Sequence, residues 1–215
     1  MKAVAFVRAP TGEDPALYKH WYLHSFAPSL VASVPEIVGL TVNVIRQAEA
    51  LYEGAGMPPV AEIYAEFWAA PGHRLTAEHI RPTRGTQQVF EVDERIEKAE
   101  LDRQPGVMPG IRLLSPLHPI DGATREQSIA YWDQHVPLAL RVHIGMNRYV
   151  RDIVRTVLSE EQTPVFGVAS LHFPSDDAIR DRFFDSPDSI PEHAADLARF
   201  VGSVVPMSAV AHVLK

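Results

Sequence analysis

The sequence lacks several features that would each define a class of protein. It contains no cysteine, which excludes disulfides, thiolate nucleophiles, iron–sulfur clusters and cysteine-ligated zinc sites. It contains no G-x-G-x-x-G, Walker-type or G-x-S-x-G motif, so no cofactor is expected. It has no run of Lys and Arg, and its net charge is −7, so nucleic acid is not an expected partner.

Long apolar runs are also missing. No stretch of about 18 apolar residues is present, so no membrane span is expected. The opening run Ala3–Val7 is too short for the apolar core of a signal peptide and is typical of a strand. The sequence therefore predicts a cytoplasmic protein without a membrane partner. A length of 215 residues with 46% hydrophobic residues is sufficient for a sizeable core.

One motif is present twice. W-x-x-H occurs at Trp21–His24 and again at Trp132–His135, in each case near the end of a helix-like stretch. A proline follows each copy, at Pro28 and at Pro137. β-rich runs then recur in the same order, over 39–45 and 60–68 in the first copy and over 145–154 and 164–173 in the second. This order predicts two copies of one supersecondary unit.

Helix signals stand at corresponding places in the two copies. Asp14 before Pro15 is typical of a helix start, and Thr124 with Gln127 forms a capping box. Helical spacing then places three residues of each copy on one helix face: Leu17, Trp21 and His24 in the first, and Ser128, Trp132 and His135 in the second.

Strand-like runs complete both copies. In 60–68, Ile63, Ala65 and Phe67 alternate with Glu62, Tyr64, Glu66 and Trp68, so the two sets face opposite sides of a strand. Further strands are expected over 3–8, 86–92, 111–114 or 111–118, 146–157 and 204–214. Helices are expected over 76–80, 176–184 and 191–201, and a loop over 49–59. Residues 94–110 are charged and end in Pro and Gly, which predicts a solvated connection with the linker at 104–110.

These elements predict the fold. Each half, 1–103 and 111–215, has the order strand, helix, strand, strand, helix, strand of the ferredoxin-like β-α-β-β-α-β unit. Its antiparallel sheet has helices on one face, and the other face needs cover. We therefore expect an α+β protein in which two ferredoxin-like repeats of one chain close into an α+β barrel. The barrel interior is the expected ligand cavity.

Several segments resemble the EthD family. In the second copy they are Ala130–Leu138 (AYWDQHVPL), Gly145–Val150 (GMNRYV), Phe166–Phe173 (FGVASLHF) and Phe184–Pro187 (FDSP), with Asp196 and Phe200 beyond. In the first copy they are Phe6–Arg8, the W-x-x-H-x-x-x-P of Trp21–Pro28, and Gly39–Asn43. The resemblance covers nearly the whole chain outside the linker. The first copy lacks the Ser-Pro and Asp-x-x-x-Phe pieces after Trp68.

This resemblance implies the dimeric α+β barrel fold with a cavity in each barrel. It implies little about the reaction, because most members of the family are uncharacterised. Some relatives resemble dehydratases or cyclases of aromatic polyketides. Others in the wider fold group are cofactor-free oxygenases or isomerases of small aromatic compounds. Any activity inferred from that range is an analogy of fold.

The repeated histidines are the first candidates for catalysis. Imidazole has an unperturbed pKa near neutrality, so His24 and His135 are the expected proton-transfer residues. The structural alternative is that each histidine caps a helix or hydrogen-bonds within the core beside its tryptophan. His20 and His24 have metal-ligand spacing, but Tyr131 occupies the position of His20 in the second copy, and no metal site is expected.

Residues beside the histidines and within the strands are the candidates for substrate binding. These are Trp21, Trp132, Asn43, Tyr64, Tyr149, Ser170 and His172. Strand alternation would turn some of them into the barrel, where a tyrosine or asparagine could orient a substrate oxygen. The alternative for the two tyrosines is that they are ordinary strand residues.

Three functions follow from these candidates. The first is a small enzyme, a dehydratase, cyclase or isomerase, that acts by proton transfer on a hydrophobic aromatic or polyketide-like compound. The second is an oxygenase of the same fold, working without metal or on a bound haem or flavin. The third is a non-catalytic ligand-binding or accessory protein of a cluster for aromatic compound catabolism. A homodimer is expected because two-fold dimers are the commonest oligomers.

Overall fold

The computed structural model describes residues 1–46, 60–160 and 164–215. The predicted loop at 49–59 lies outside these residues. The strands are β1 (Lys2–Arg8), β2 (Ile37–Ile45), β3 (Ile63–Ala69), β4 (Thr86–Ala99), β5 (Gly106–Val107), β6 (Ile111–Pro119), β7 (Arg148–Val157), β8 (Gly167–Phe173), β9 (Val201–Val204) and β10 (Met207–Val213). The helices are α1 (Pro15–Trp21), α2 (Ala27–Ser33), α3 (Arg125–Val142), α4 (Asp176–Arg182) and α5 (Ser189–Leu197). A π-helical turn, Tyr22–Phe26, joins α1 to α2.

Eight antiparallel strands close into a barrel. Their order is β2-β3-β1-β4-β7-β8-β6-β10, and β10 pairs with β2 to complete the circle. The two short strands lie at its margin, where β5 pairs with β10 and β9 pairs with β6. The predicted α+β barrel within one chain is confirmed.

The two halves of the barrel have the same internal order. It is β2-β3-β1-β4 in the first half and β7-β8-β6-β10 in the second, which is the strand order of a ferredoxin-like sheet. The halves join twice, through β4 with β7 and through β10 with β2. The boundary at 104–110 stays a prediction, and the short strand β5 lies within it.

The predicted helix starts are confirmed. The Asp14 side chain accepts a hydrogen bond from the main-chain N–H of Ala16, and Pro15 opens α1. At α3, Thr124 and Gln127 each bond the other's main-chain N–H, as a capping box requires. Both caps supply acceptors for main-chain N–H groups that would otherwise be unpaired at the start of a helix.

Two predictions in the first half are wrong. Residues 76–80 form a turn and not the predicted helix. The structure describes all of 70–85, and this segment contains no helix. Strand β4 continues to Ala99 instead of ending near Val92. The charged run is drawn into the sheet because β7 pairs along it and because Glu94 and Glu97 form ion pairs with Lys2 and Arg151.

The helix face that carries Leu17, Trp21 and His24 does not pack on the sheet. Leu17 and His24 are exposed, and Trp21 is half-buried. The inward face consists instead of Tyr18, Tyr22, Leu23, Ala27 and Leu30, all buried against β1, β2 and β3. The π-helical turn widens the helix by one residue, which rotates His24 away from the position that regular spacing predicts.

Side chains of the described residues fill the interior of the barrel, so the expected ligand cavity inside it is wrong. Apolar side chains from most strands occupy part of the space, including Val4, Phe90 and Leu114. The remainder is a buried ionic cluster of Lys2, Glu66, Glu94, Arg112 and Asp152, which we term the barrel network. Lys2 and Arg112 form ion pairs with the three carboxylates there, and together these side chains take the volume that a ligand would need.

Within the described ranges, no helix is long and apolar enough to cross a membrane.

Candidate functional site

A large cavity lies outside the barrel, between the sheet of the second half and its helices. It has a volume of about 620 Å³, within the usual range of small-molecule sites. Strands β6, β7 and β8 form its floor, and α3, α4 and α5 form its walls. Most of its lining is apolar or aromatic, including Leu113, Trp132, Leu171, Phe183 and Phe184. We term this space the helix-side cavity.

His135 lies in the wall of the helix-side cavity with a defined tautomer. Its Nδ1 is 2.8 Å from Oδ2 of Asp196 on α5, and its side chain is almost fully buried. Burial acts to raise the pKa of Asp196, but hydrogen bonds from His135 and Arg199 hold it below its usual value. Because an ionised carboxylate only accepts hydrogen bonds, Nδ1 of His135 carries a proton.

The protonation of His135 follows from its surroundings. Burial lowers the pKa of His135, and the hydrogen bond and charge of Asp196 oppose this only in part. The ring is therefore neutral near pH 7, with its single proton on Nδ1. Nε2 carries the lone pair, and it has no hydrogen-bond partner within the described part of the chain. An unprotonated ring nitrogen of this kind can accept a proton.

Two further histidines line the same cavity as a bonded pair. Nδ1 of His143 donates to the main-chain oxygen of Phe183 at 2.7 Å, so Nε2 of His143 must accept. His193 Nε2 lies 3.2 Å away and is the donor. Burial lowers the pKa of His143 to about 4 and that of His193 to about 3, with His143 and His135 contributing to the second shift. Both rings are neutral near pH 7.

Tyr149 supplies a hydroxyl to the cavity floor. The indole Nε1 of Trp132 donates to the Tyr149 oxygen at 3.0 Å. Since the indole can only donate, the phenolic proton of Tyr149 remains for another acceptor. Burial raises the pKa of Tyr149, so the phenol keeps that proton at neutral pH. The site thus contains one oriented base and one hydrogen-bond donor among apolar walls.

The candidates of the first W-x-x-H copy lie elsewhere. His24 is exposed, and its nearest ring is His20, with 4.5 Å between centroids. Trp21 stacks with Arg84 at 4.1 Å and with Phe26 at 5.5 Å. Neither residue lines the helix-side cavity. The two copies of the motif therefore occupy different environments in the folded chain.

The polar strand candidates lie in the barrel interior. Asn43 donates to the main-chain oxygen of Tyr64 and to Glu66, and it accepts from Arg112. The hydroxyl of Tyr64 donates to Asp152 at 2.9 Å, and Ser170 accepts twice from Arg112. His172 contacts Asn147 at 2.7 Å at one end of the barrel. Asn43, Tyr64 and Ser170 extend the barrel network, and none of these four candidates lines the helix-side cavity.

Sequence reasoning missed His143, His193 and the role of Asp196. His143 is the C-cap of α3, eight residues after His135, and His193 and Asp196 have i, i+3 spacing on α5. The sequence contains this spacing, but it does not show that α3 and α5 contact each other. In the described residues, no group of three or more His, Asp or Glu is arranged to hold a metal ion.

Comparisons with known proteins bear on the fold. No protein-family model and no curated protein matches the chain. A solved structure of an anthrone oxidase-like protein superposes with a TM-score of 0.57 at 12% identity, over 100% of this chain and 91% of that one. The chain has the dimeric α+β barrel fold. A candidate monooxygenase from Lactobacillus acidophilus NCFM matches at a TM-score of 0.48 and 13% identity, over 100% and 95% of the two chains.

Proposed function

We propose that the chain is an enzyme that removes a proton from a hydrophobic, aromatic or polyketide-like compound bound in the helix-side cavity. The observation that carries the proposal is the His135–Asp196 pair. It presents an unprotonated ring nitrogen in the wall of a largely apolar cavity of about 620 Å³. The reaction class is dehydration, cyclisation or isomerisation. The site lies within the segments that resemble the EthD family, and membership of that family is part of the proposal.

The roles follow from the hydrogen bonds. His135 Nε2 takes a proton from a carbon or oxygen acid of the substrate. Asp196 keeps the proton of the neutral ring on Nδ1 and stabilises the imidazolium that forms. Tyr149 donates its phenolic proton as a hydrogen bond to the substrate oxygen on which negative charge develops. Apolar walls exclude water, which strengthens both interactions.

The apolar lining sets the substrate class. Phe183, Phe184 and Trp132 offer ring faces and edges to a flat aromatic compound. Ile190 and Val204 line the cavity and are partly exposed, so they mark the side from which an apolar compound enters. An amphipathic entrance of this kind is expected for a ligand that leaves water on binding.

The same base supports a second candidate, a cofactor-free oxygenase. Deprotonation of an activated aromatic CH₂ group gives a carbanion that reduces O₂ directly. One CH₂ and one O₂ then yield a carbonyl and one water. The similarity of fold to an anthrone oxidase-like protein favours keeping this candidate. The two reactions differ in whether oxygen is consumed.

The test begins with a binding screen. Quenching of tryptophan fluorescence by a panel of hydroxylated naphthalenes, anthrones and linear polyketide mimics identifies ligands, since Trp132 lines the cavity. Each ligand is then followed by mass spectrometry with and without air. We expect turnover, and His135→Gln should lower kcat by about 10²- to 10⁴-fold while the dissociation constant changes little.

Matched variants distinguish the roles. His24→Gln changes the other histidine of the repeated motif, which is exposed, and should leave turnover unchanged. Asp196→Asn should lower kcat more than it raises KM. It should also move the acid limb of kcat/KM to lower pH, because Asp196 raises the pKa of His135. Ligand binding without turnover across the panel would instead favour the accessory protein.

A homodimer in solution is also proposed, and light scattering tests it.

A further inference from the structure

A second, much smaller site lies at one end of the barrel, on the opposite face of strands β6, β7 and β8. Its volume is about 20 Å³, room for about one water-sized group. Thr41, Trp68, Arg103, Arg148 and His172 line it, together with two carboxylates and Arg112 of the barrel network. We term it the barrel-end site. It shares no lining residue with the helix-side cavity.

The charges around the barrel-end site do not balance. Lys2, Arg112, Arg103 and Arg148 carry four positive charges here, against three carboxylates, Glu66, Glu94 and Asp152, so one positive charge is left over. Two of the guanidinium groups bond only main-chain oxygens. Arg103 donates to the main-chain oxygen of Lys215 at 2.7 Å, and Arg148 donates to that of Leu101 at 3.1 Å. Neither has a carboxylate partner among the described residues.

Two hydrogen-bonding groups at this site are also unsatisfied. The hydroxyl of Thr41 is buried, with 1% of the residue exposed, and has no partner in the part of the chain that the structure describes. The Nε of Arg103 is also buried and has no hydrogen-bond partner among the described residues, while its guanidinium stacks on Trp68 at 3.8 Å. Buried polar groups are normally paired, so these donors point to a ligand that accepts hydrogen bonds.

We propose that the barrel-end site binds one small monovalent anion of the size of chloride. The anion accepts hydrogen bonds from the Thr41 hydroxyl and the Arg103 Nε, and it neutralises the one positive charge by which the cations at this end of the barrel exceed the carboxylates. A water molecule would satisfy the hydrogen bonds but not the charge. The ligand also has a structural effect, because the lining comes from β2, β3 and β4 of one half and β6, β7 and β8 of the other. An anion bound there ties the two halves together.

The test is thermal unfolding at fixed ionic strength, with sodium gluconate replaced stepwise by sodium chloride. Gluconate is too large for the site, so it serves as the non-binding salt. We expect Tm to rise by about 3 to 6 °C at a tenfold excess of chloride over its Kd, and to continue rising with the logarithm of the chloride concentration. Thr41→Val keeps the shape of the side chain and removes the hydroxyl. It should weaken chloride binding by about tenfold or more, since a hydrogen bond to a charged partner is lost.

Two controls make the outcome decisive. Thr156→Val changes an exposed threonine of β7 and should respond to chloride as the unmodified chain does. Arg148→Gln removes the surplus positive charge and should abolish the response, and it provides a second variant if Thr41→Val folds poorly. Crystals soaked in bromide should show an anomalous peak within hydrogen-bond distance of Thr41. A Tm that follows ionic strength alone, an unchanged Thr41→Val response, or no bromide peak at Thr41 would each overturn the proposal.

Discussion

Replacement of Lys2 by methionine tests whether the barrel network holds the two halves of the sheet together. The Lys2 ammonium bonds Glu66 at 2.9 Å, Glu94 at 2.6 Å and Asp152 at 2.8 Å, with 4% of its side chain exposed. Burial acts to lower the pKa of Lys2, but the three carboxylates raise it above its usual value. Methionine keeps most of the volume and removes the charge, which leaves buried carboxylates without this cation.

The magnitude follows from the partners that remain. Removal of one member of a buried ion pair costs about 3 to 5 kcal/mol. Glu66 retains Arg112, and Asp152 retains the hydroxyl of Tyr64, so the loss should not exceed this range. For a chain of this length we expect Tm to fall by about 6 to 20 °C. The midpoint of urea unfolding, followed by tryptophan fluorescence, should fall by about 1 to 2 M.

A control and a double mutant decide the interpretation. Lys19→Met alters a half-buried lysine on α1 that has no ion pair within the described residues, and it should change stability by less than about 1 kcal/mol. Asp152→Asn should cost less in the Lys2→Met background than alone, because it then removes an unpaired carboxylate. Additive costs, or a Lys2→Met loss no larger than that of Lys19→Met, would refute the reasoning.

Two further predictions concern the helix-side cavity. The folded pKa values of His143 and His193, about 4 and 3, lie below the unfolded value near 6.5, so the unfolded chain binds protons that the folded chain does not. Their stabilising contribution is therefore complete above pH 6.5 and shrinks as the pH falls. Between pH 6.5 and 5, the titration of His143 alone should lower the free energy of unfolding, measured with urea, by about 2 kcal/mol. Replacement of both His143 and His193 by glutamine should flatten this dependence of stability on pH. Gly167→Ala places a Cβ in steric overlap with the Trp132 ring and 3.0 Å from the main-chain oxygen of Asp152, so we expect a loss of about 1 to 3 kcal/mol and weaker ligand binding; an unchanged urea midpoint would contradict this.

Patterns among residues that are close in the sequence predict much of the fold. Helix caps at Asp14 and Thr124 depend on neighbouring residues, so the sequence predicts them correctly. The alternation of Ile63, Ala65 and Phe67 with Tyr64 and Glu66 also holds in the structure. Such patterns have a short period and need no knowledge of distant parts of the chain.

The site was harder to predict because both faces of each barrel strand are buried. Alternation sorts side chains into two sets but does not say which set faces the ligand. Glu66 and Asp152 look like surface residues in the sequence, since their partner Lys2 lies 64 and 150 positions away. The π-helical turn that moves His24 also has no short sequence signature. Long-range pairing thus determined which of the two W-x-x-H motifs meets the cavity.

Strand β7 supplies side chains to both compartments by strict alternation. Tyr149 and Ile153 face the helix side, while Val150 and Asp152 face the barrel side. Because neighbouring strand residues point in opposite directions, insertion or deletion of a single residue here would exchange the two sets. The Asp152 carboxylate would enter the apolar cavity, and Tyr149 would lose its indole partner. Length changes during evolution are therefore expected in pairs within β7, or in the loops before Arg148 and after Val157.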